Sequence, residues 1–389
     1  MQNSHNGSIV EKNWYDKHYK TMLILPAILF LAIIFYIFVF YQHNGDFMHK
    51  DVSLTGGTSV TVFDKNVDGK AIAESLKIIF PDMQYRIISD FRNGEQHGFS
   101  IETKADSKEI IKALEAKLGY TLDEKNSSIE FSGAGLSTGF YSQLTGALIV
   151  AFLFMAWVVF LTFSESWKMK GFASILTFLV APVILGELGW LKALSVIVII
   201  TGAFIVILNK HSTKRDKIIG AVLGLVSAML IYLYPNIIIA WIVSVLLIIM
   251  YVINSIPSFA VIFSASADIL MTLAVVDILG IHVSSAGIVA FLMLIGYSVD
   301  TDILLTSRLL RDKEGSVNHR LFGAFKTGMT MTLTAIAAVG VSFAIVYSFS
   351  ETLKQIFGII LIGLVFDMMN TWITNASILK WFMEVKKLQ

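Results

Sequence analysis

The sequence predicts a polytopic α-helical membrane protein of about ten transmembrane helices with one extracytoplasmic α+β domain. Of its 389 residues, 55% are hydrophobic and 15% charged, whereas an ordinary soluble domain has roughly 45–50% and about 25%. About ten apolar runs reach the roughly 20 residues that a helix needs to cross a hydrocarbon core. One long polar stretch, residues 43–137, separates the first run from the others.

These runs divide the chain into six predicted segments. A cytoplasmic N-terminus (1–20) precedes the first transmembrane helix (21–42), the outer domain (43–137) and a second helix (139–163). Transmembrane hairpins (164–254) and a bundle ending in a short cytoplasmic C-terminus (255–389) complete the chain. The hairpin spans are expected at 170–187, 190–208, 218–234 and 237–254, and those of the bundle at 258–281, 285–310, 321–348 and 355–382.

The positively charged residues in the short loops predict the orientation. Lys and Arg resist translocation, whereas Asp and Glu contribute little. With the N-terminus inside, nearly all short-loop Lys and Arg lie in the cytoplasm, and the outer loops hold only Lys192 and Lys354. Both termini are therefore expected in the cytoplasm of a cell-membrane protein, and residues 43–137 outside it.

The outer segment has the pattern of a small split-βαβ domain. Predicted strands at 59–63, 84–88, 99–103 and 128–131 alternate with helices at 71–80 and 108–118, in the order β-α-β-β-α-β. This order matches a ferredoxin-like sandwich. The segment contains no Ser-His-Asp, HExxH or phosphate-binding glycine pattern, so we expect a binding or spacer module without catalytic residues.

Composition excludes several classes of function. The formal net charge of +1 provides no bulk basicity, so nucleic-acid binding is not expected. The chain has no cysteine, which removes disulfides, thiolate metal sites and iron–sulfur clusters. No metal or cofactor is predicted.

Two aspartates lie inside the predicted span 285–310. An ionisable residue deep in a span costs about 2.5 kcal/mol or more, so it is expected to face the bundle interior or a water path. Asp300 and Asp302 diverge by about 200° on a helix, so only one of them can face the bundle. Either is a candidate proton carrier, and the alternative is a fixed buried ion pair or a helix-cap-like contact.

Other polar residues in the spans are secondary candidates. Lys326 begins a threonine-rich run and is the expected cationic partner of the aspartates, unless it snorkels to the interface. Arg308 fits such an interface anchor better. Four more polar residues lie inside the spans: Asp268, Asp367, Asn370 and Asn375. Their alternative role is to join helices, because polar side chains do so in lipid.

Three motifs stand out in the spans and beside them. The first is Leu54-Thr55-Gly56-Gly57-Thr58, just after the first span. The second runs from Gly296-Tyr297-Ser298 through Asp300 and Asp302 to Arg308, and the third is the stretch 367–375 in the last span. Together they resemble the SecF family of protein-export membrane proteins, and the form of the second resembles archaeal members.

The resemblance implies an RND-transporter-like membrane fold and pairing with a SecD-like subunit. It also implies action beside the Sec protein-conducting channel on a translocating polypeptide, driven by the proton gradient. By position, Asp300 or Asp302 would carry the proton, and Lys326 stands about where bacterial members have an arginine. Bacterial members also have Asn-Asp at positions 300–301, so it stays open whether Asp300 or Asp302 is the functional carboxylate.

The resemblance covers residues 20–163 and 255–389, and it leaves the four spans of 164–254 without a recognised counterpart.

Two alternative functions remain open. One is an RND-like small-molecule efflux protein, and the other is a scaffold that stabilises the translocon without transporting anything. A membrane-embedded hydrolase is disfavoured, because paired catalytic carboxylates usually come from separate elements. No enzymatic activity is therefore expected.

Overall fold

The computed structural model describes residues 14–89, 94–165, 167–184, 237–312, 315–347 and 350–386. Within these ranges, six helices are long and apolar enough to cross a membrane. They are Lys17–Asn44, Ala134–Phe163, Ile256–Ile278, Ser285–Arg311, Val317–Val346 and Glu351–Val385. Each lies where a span was predicted, whereas the predicted spans 190–208 and 218–234 fall outside the described residues.

The helices outside the outer domain are labelled in chain order. The N-terminal helices are α1 (Trp14–Met22), α2 (Ile24–Asn44) and the short α3 (Val52–Thr55). After the outer domain come α6 (Ala134–Phe163), α7 (Trp167–Ile184), α8 (Ile237–Asn254), α9 (Ile256–Ile278), α10 (Ser285–Arg311), α11 (Val317–Val346), α12 (Glu351–Met369), a π-helix (Asn370–Asn375) and α13 (Ala376–Val385).

The outer domain contains each of the predicted strands and helices, with bounds shifted by up to three residues. Its elements are β1 (Gly57–Val62), α4 (Gly69–Lys77), β2 (Gln84–Ser89), β3 (Gln96–Thr103), α5 (Ser107–Leu118) and β4 (Ser127–Ser132). They form one four-stranded antiparallel sheet in the order β2-β3-β1-β4. The outer strands β2 and β4 therefore flank the central pair β3 and β1.

Local sequence explains why these elements form. The carboxyls of Asp68 and Asp106 accept hydrogen bonds from backbone N–H groups in the first turns of α4 and α5, as good N-caps do. Alternate residues of the central strands face one side of the sheet, because side chains alternate along a strand. The apolar residues on that side, Val60, Val62, Phe99 and Ile101, pack against Leu76 of α4 and Ile110 and Leu114 of α5.

The domain joins the bundle where α3, β1 and α6 meet. Gly56 has φ +83°, and a Cβ at this position would lie 2.4 Å from Ala134 Cα, at the start of α6. Gly57 has φ +139°, and its Cβ would lie 2.3 Å from the Thr103 carbonyl oxygen. Thr58 is buried and donates from Oγ1 to the Ala105 carbonyl at 2.8 Å.

The bundle buries some helices far more than others. In its most apolar stretch α9 is 67% buried, whereas α11 is only 6% buried. Helices α9, α10 and α12 pack against one another, and the first span contacts α9 through Ile33 and Ile37. The last span continues from α12 through the π-helix into α13, so its hydrogen-bonding pattern changes at residues 370–375.

Candidate functional site

Three carboxyl groups from three different helices meet inside the bundle. Asp268 comes from α9, Asp302 from α10 and Asp367 from α12. Their exposed fractions are 0%, 0% and 1%. We call these three residues the buried acid cluster.

Hydroxyl and amide groups hold two of these carboxyls. Asp268 accepts from Ser298 Oγ at 2.5 Å and from Asn370 Nδ2 at 2.7 Å. Asp302 Oδ1 accepts from Thr371 Oγ1 at 2.9 Å and from Asn375 Nδ2 at 2.7 Å. The π-helix therefore binds both carboxyls, and α10 also binds Asp268 through Ser298.

Thr371 connects Asp302 with the third carboxyl. Its Oγ1 lies 2.9 Å from Asp302 Oδ1 and 3.2 Å from Asp367 Oδ1. Thr301, next to Asp302 on α10, places its Oγ1 3.1 Å from Asp367 Oδ1. A hydroxyl has one proton to donate, so a change at one carboxyl alters what Thr371 offers to the other.

The π-helix supplies three of the groups that bind the cluster. Asn370, Thr371 and Asn375 all belong to this six-residue segment. A π-turn widens the helix and is often found at functional sites, because it redirects side chains that a regular helix would point elsewhere. The irregular part of the last span is thus the part that contacts the acids.

No positive charge balances the cluster among the described residues. None of the ion pairs found in those parts of the chain includes Asp268, Asp302 or Asp367. An unpaired buried charge costs several kcal/mol. Three adjacent negative charges would carry this cost, and protons or a bound cation would relieve it.

The structure separates the two aspartates of the second motif as the helical angle predicts. Asp302 is buried, whereas Asp300 is exposed on the outer surface of α10. Within the motif, Ser298 is buried against Asp268, while Gly296 and Tyr297 are exposed. The geometry favours Asp302 over Asp300 as the carrier, a role that stays a prediction.

Lys326 is not the partner that the sequence predicted. The residue is exposed on α11, and the described residues give it no ion pair with Asp300 or Asp302. It lies near the start of α11, where snorkelling to the interface is the simpler account. Arg308 is half-buried near the end of α10, and its guanidinium lies close to Gly323 of α11.

The sequence did not single out Thr301 or Thr371 and marked Asp268 and Asp367 only as secondary candidates, and the structure places all four in or beside the buried acid cluster. Asp367, Thr371 and Asn375 are spaced four residues apart, which places them near one face of a helix. That spacing was a signal for Thr371. Nothing comparable marks Thr301, because its partner lies 66 residues away in sequence.

A second polar site joins the outer domain to the bundle. Arg86 on β2 pairs with Glu102 on β3 at 2.5 Å and with Glu351, at the start of α12, at 3.2 Å. Lys354 also pairs with Glu351, at 3.0 Å. Burial raises the pKa of Glu102 to about 7, although the charge of Arg86 acts in the opposite direction. We call this set of residues the outer junction.

The raised pKa predicts a pH-dependent outer junction. Burial favours the protonated form of Glu102, whose pKa is raised from 4.5 to about 7. A more exposed Glu102, as in a domain released from the bundle, keeps its proton only at lower pH, so we expect docking to weaken as pH rises toward and through about 7. Spin labels on cysteines introduced at His43 and Lys112 should report greater separation at pH 8 than at pH 5.

Glu102→Gln is the matched control for that measurement. The amide keeps a neutral side chain of the same size beside Arg86, so the label separation should become independent of pH. An undiminished pH response in this variant would assign the effect to another group.

Comparison with known proteins extends the sequence evidence. Residues 206–385 match the family model described as "Protein export membrane protein SecD/SecF, C-terminal". The protein-export membrane protein SecF of Methanocaldococcus jannaschii is 40% identical over 373 residues, covering 94% of this chain and 96% of the relative. The chain belongs to the SecF family.

Other SecF relatives align over shorter stretches. SecF of Methanolacinia petrolearia is 49% identical over 131 residues, which are 33% of this chain and 46% of the relative. A solved SecDF from Thermus thermophilus, described as a translocon-associated membrane protein, is 12% identical with a TM-score of 0.53. The likeness covers 95% of this chain but 38% of that chain, and it shows a shared fold.

The family model begins at residue 206, inside the segment 164–254 that has no recognised counterpart in the sequence motifs. The boundaries of that segment and the number of spans inside it stay predictions.

Proposed function

We propose that this chain is the SecF half of a SecDF-type complex that assists protein export across the cytoplasmic membrane. In this proposal the buried acid cluster takes up the ions, in the first place protons, that drive the process. The observation that supports it best is a cluster of three buried carboxyls that form no ion pair within the described part of the chain, which belongs to the SecF family.

A SecD-like subunit is the expected partner. The chain spans 38% of the Thermus SecDF chain, which leaves more than half of that fold without a counterpart here. On α10, the apolar side chains of Val289, Met293 and Tyr297 are each more than 40% exposed and lie four residues apart, on one face. Together with the largely uncovered α11, this face offers packing surface for a second helical half.

Helix α12 connects the cluster to the outer domain. Glu351 at its start binds Arg86 of the sheet, and Asp367 near its end belongs to the cluster. Sixteen residues of helix separate them, about 24 Å at 1.5 Å per residue. A shift of α12 caused by protonation at one end would therefore act directly on the domain at the other.

The topology follows the predicted orientation. Both termini lie in the cytoplasm, and residues 43–137 form a ferredoxin-like domain outside it, next to the Sec channel and in reach of the translocating polypeptide. About ten spans cross the bilayer, including those of 164–254. The chain acts in this proposal without a cofactor and without catalysing a chemical reaction.

Co-purification tests the partner assignment. The tagged chain is extracted in mild detergent from its own membranes, and stably bound chains are identified by mass spectrometry. We expect a SecD-like protein in near-equal amount, with or without the channel. An unrelated membrane protein with the same tag controls for carry-over, and self-association alone, under conditions where SecD survives the detergent, would contradict the proposal.

A further inference from the structure

Lys380 on α13 is a buried lysine far along the chain from the charged groups discussed so far. Only 3% of the residue is exposed. Its Nζ lies 4.6 Å from the centre of the Tyr15 ring and 5.1 Å from that of the Tyr19 ring, and it donates to Asn318 Oδ1 at 2.9 Å. Aromatic ring faces attract a cation, most strongly where water is excluded. The ammonium therefore joins α1, α11 and α13 at one point, and we call these four residues the lysine latch.

Two further side-chain contacts connect α1 with α13. The Tyr15 hydroxyl lies 3.5 Å from Ser377 Oγ, and the Tyr19 hydroxyl donates to Glu384. These contacts and those of the latch are polar or cation–π contacts, and water can take the place of either partner at little net cost. Helix α2, in contrast, packs against α9 through apolar side chains. The attachment of α1 is therefore the more easily reversed of the two.

The first span is interrupted between α1 and α2. Pro26 has no backbone N–H, so the carbonyl of Met22, four residues earlier, cannot form its helical hydrogen bond. Helix α1 ends at Met22, and α2 begins at Ile24. A few residues at the end of an element can absorb the backbone change of a hinge. Leu23, between the two helices, thus allows α1 to pivot while α2 stays packed.

Helix α1 covers polar groups near the end of the last span. It contacts both the π-helix and α13. Ser377 is fully buried, and Tyr15 is the α1 side chain that contacts it. In the proposed topology this is the cytoplasmic end of the bundle. A pivot of α1 away from α13 would remove this cover and open Ser377 to water.

We propose that α1 is a hinged gate at the cytoplasmic end of the bundle, held shut by the lysine latch. The gate is closed in this structure. While the latch holds, α1 keeps water from the polar side chains where the π-helix meets α13, and release of the latch admits it. The gate uses contacts within this chain alone, so its test depends neither on export nor on a partner.

Cysteine labelling tests the gate, because the chain has no cysteine of its own. In the purified full chain, Ser377→Cys is treated with a hydrophilic maleimide. Asp312→Cys, at the exposed C-cap of α10, is the accessible reference. We expect Ser377→Cys to react at least about tenfold more slowly, as for a site open in a minor conformation only. In detergent the reagent reaches both ends of the bundle, so the result is independent of membrane orientation.

Two latch variants are compared in the Ser377→Cys background. Lys380→Met keeps most of the side-chain length but removes the charge, and we expect labelling about tenfold faster, a change of 1.4 kcal/mol in the opening equilibrium. Tyr19→Leu removes one ring but leaves the Tyr15 contact with Ser377, and it should give about threefold. It carries the test if Lys380→Met does not accumulate. Lys386→Met, at an exposed lysine just beyond α13, is the matched control and should change nothing.

A buried reference separates opening of the gate from loosening of the whole bundle. Ala274→Cys, fully buried in α9, should stay unlabelled in every variant. Equally fast labelling of Ser377→Cys and Asp312→Cys in the parent would overturn the closed gate. Equal rates in the parent, Lys380→Met and Tyr19→Leu would overturn the latch. Labelling of Ala274→Cys that rises together with that of Ser377→Cys would also overturn it, because Lys380 would then stabilise the bundle as a whole.

Discussion

Asp302→Asn should remove the dependence of protein export on the ion gradient. The amide keeps the size of the side chain and its contacts with Thr371 and Asn375, but it can no longer gain and lose a proton. Moving one charge through 100 mV is worth about 2.3 kcal/mol, so losing it forfeits up to about 50-fold of bias between two conformations. We expect a loss of about tenfold in the rate at which a secreted reporter leaves cells in a pulse-chase experiment.

Asp300→Asn is the matched comparison. It makes the same chemical change two residues away, on the exposed side of α10. We expect export to keep at least half of its rate and its full sensitivity to a proton uncoupler. If Asp300→Asn abolishes export while Asp302→Asn does not, the outward-facing carboxylate is the carrier and the buried acid cluster is structural.

Local patterns predicted much of the fold. Alternating apolar residues and capping aspartates placed the strands and helices of the outer domain to within three residues, because these signals depend on near neighbours in sequence. The angle between Asp300 and Asp302 likewise follows from helical geometry alone. The angle predicts that one carboxyl faces the bundle interior and the other does not, but it does not predict which of the two is inside.

Local sequence patterns did not predict which side chains bind the buried acids. Helical spacing shows which face a residue occupies, but not which distant side chain meets it. Asp302 binds Thr371 and Asn375, about 70 residues further along, because a π-helix turns both toward it. Lys326 was expected as partner from its charge and its position in the family pattern, and the packing places it on the exposed surface of α11. The link between Arg86 and Glu351 spans 265 residues and left no local signal either.

Gly56→Ala should destabilise the protein by roughly 4 kcal/mol, combining backbone strain with overpacking. Gly56 has φ +83° and ψ +148°, a conformation nearly confined to glycine. The added methyl group would also lie 2.4 Å from the Cα of Ala134 and 2.7 Å from its nitrogen, and these are backbone atoms that cannot rotate away. We expect a large fall in the unfolding temperature of the purified protein and little accumulation in membranes.

Gly45→Ala measures the cost of a positive φ without a close contact. Gly45 has φ +72° and ψ +6°, in the left-handed helical region, and a Cβ there would meet no atom within 4 Å. Its substitution should cost only the left-handed backbone term, about 1–2 kcal/mol. A larger loss is expected in Gly56→Ala, because Gly56 combines a conformation nearly confined to glycine with the close approach to α6. If both variants lose the same stability, the close approach of Gly56 to α6 contributes nothing, and the first family motif does not hold the outer domain against the bundle.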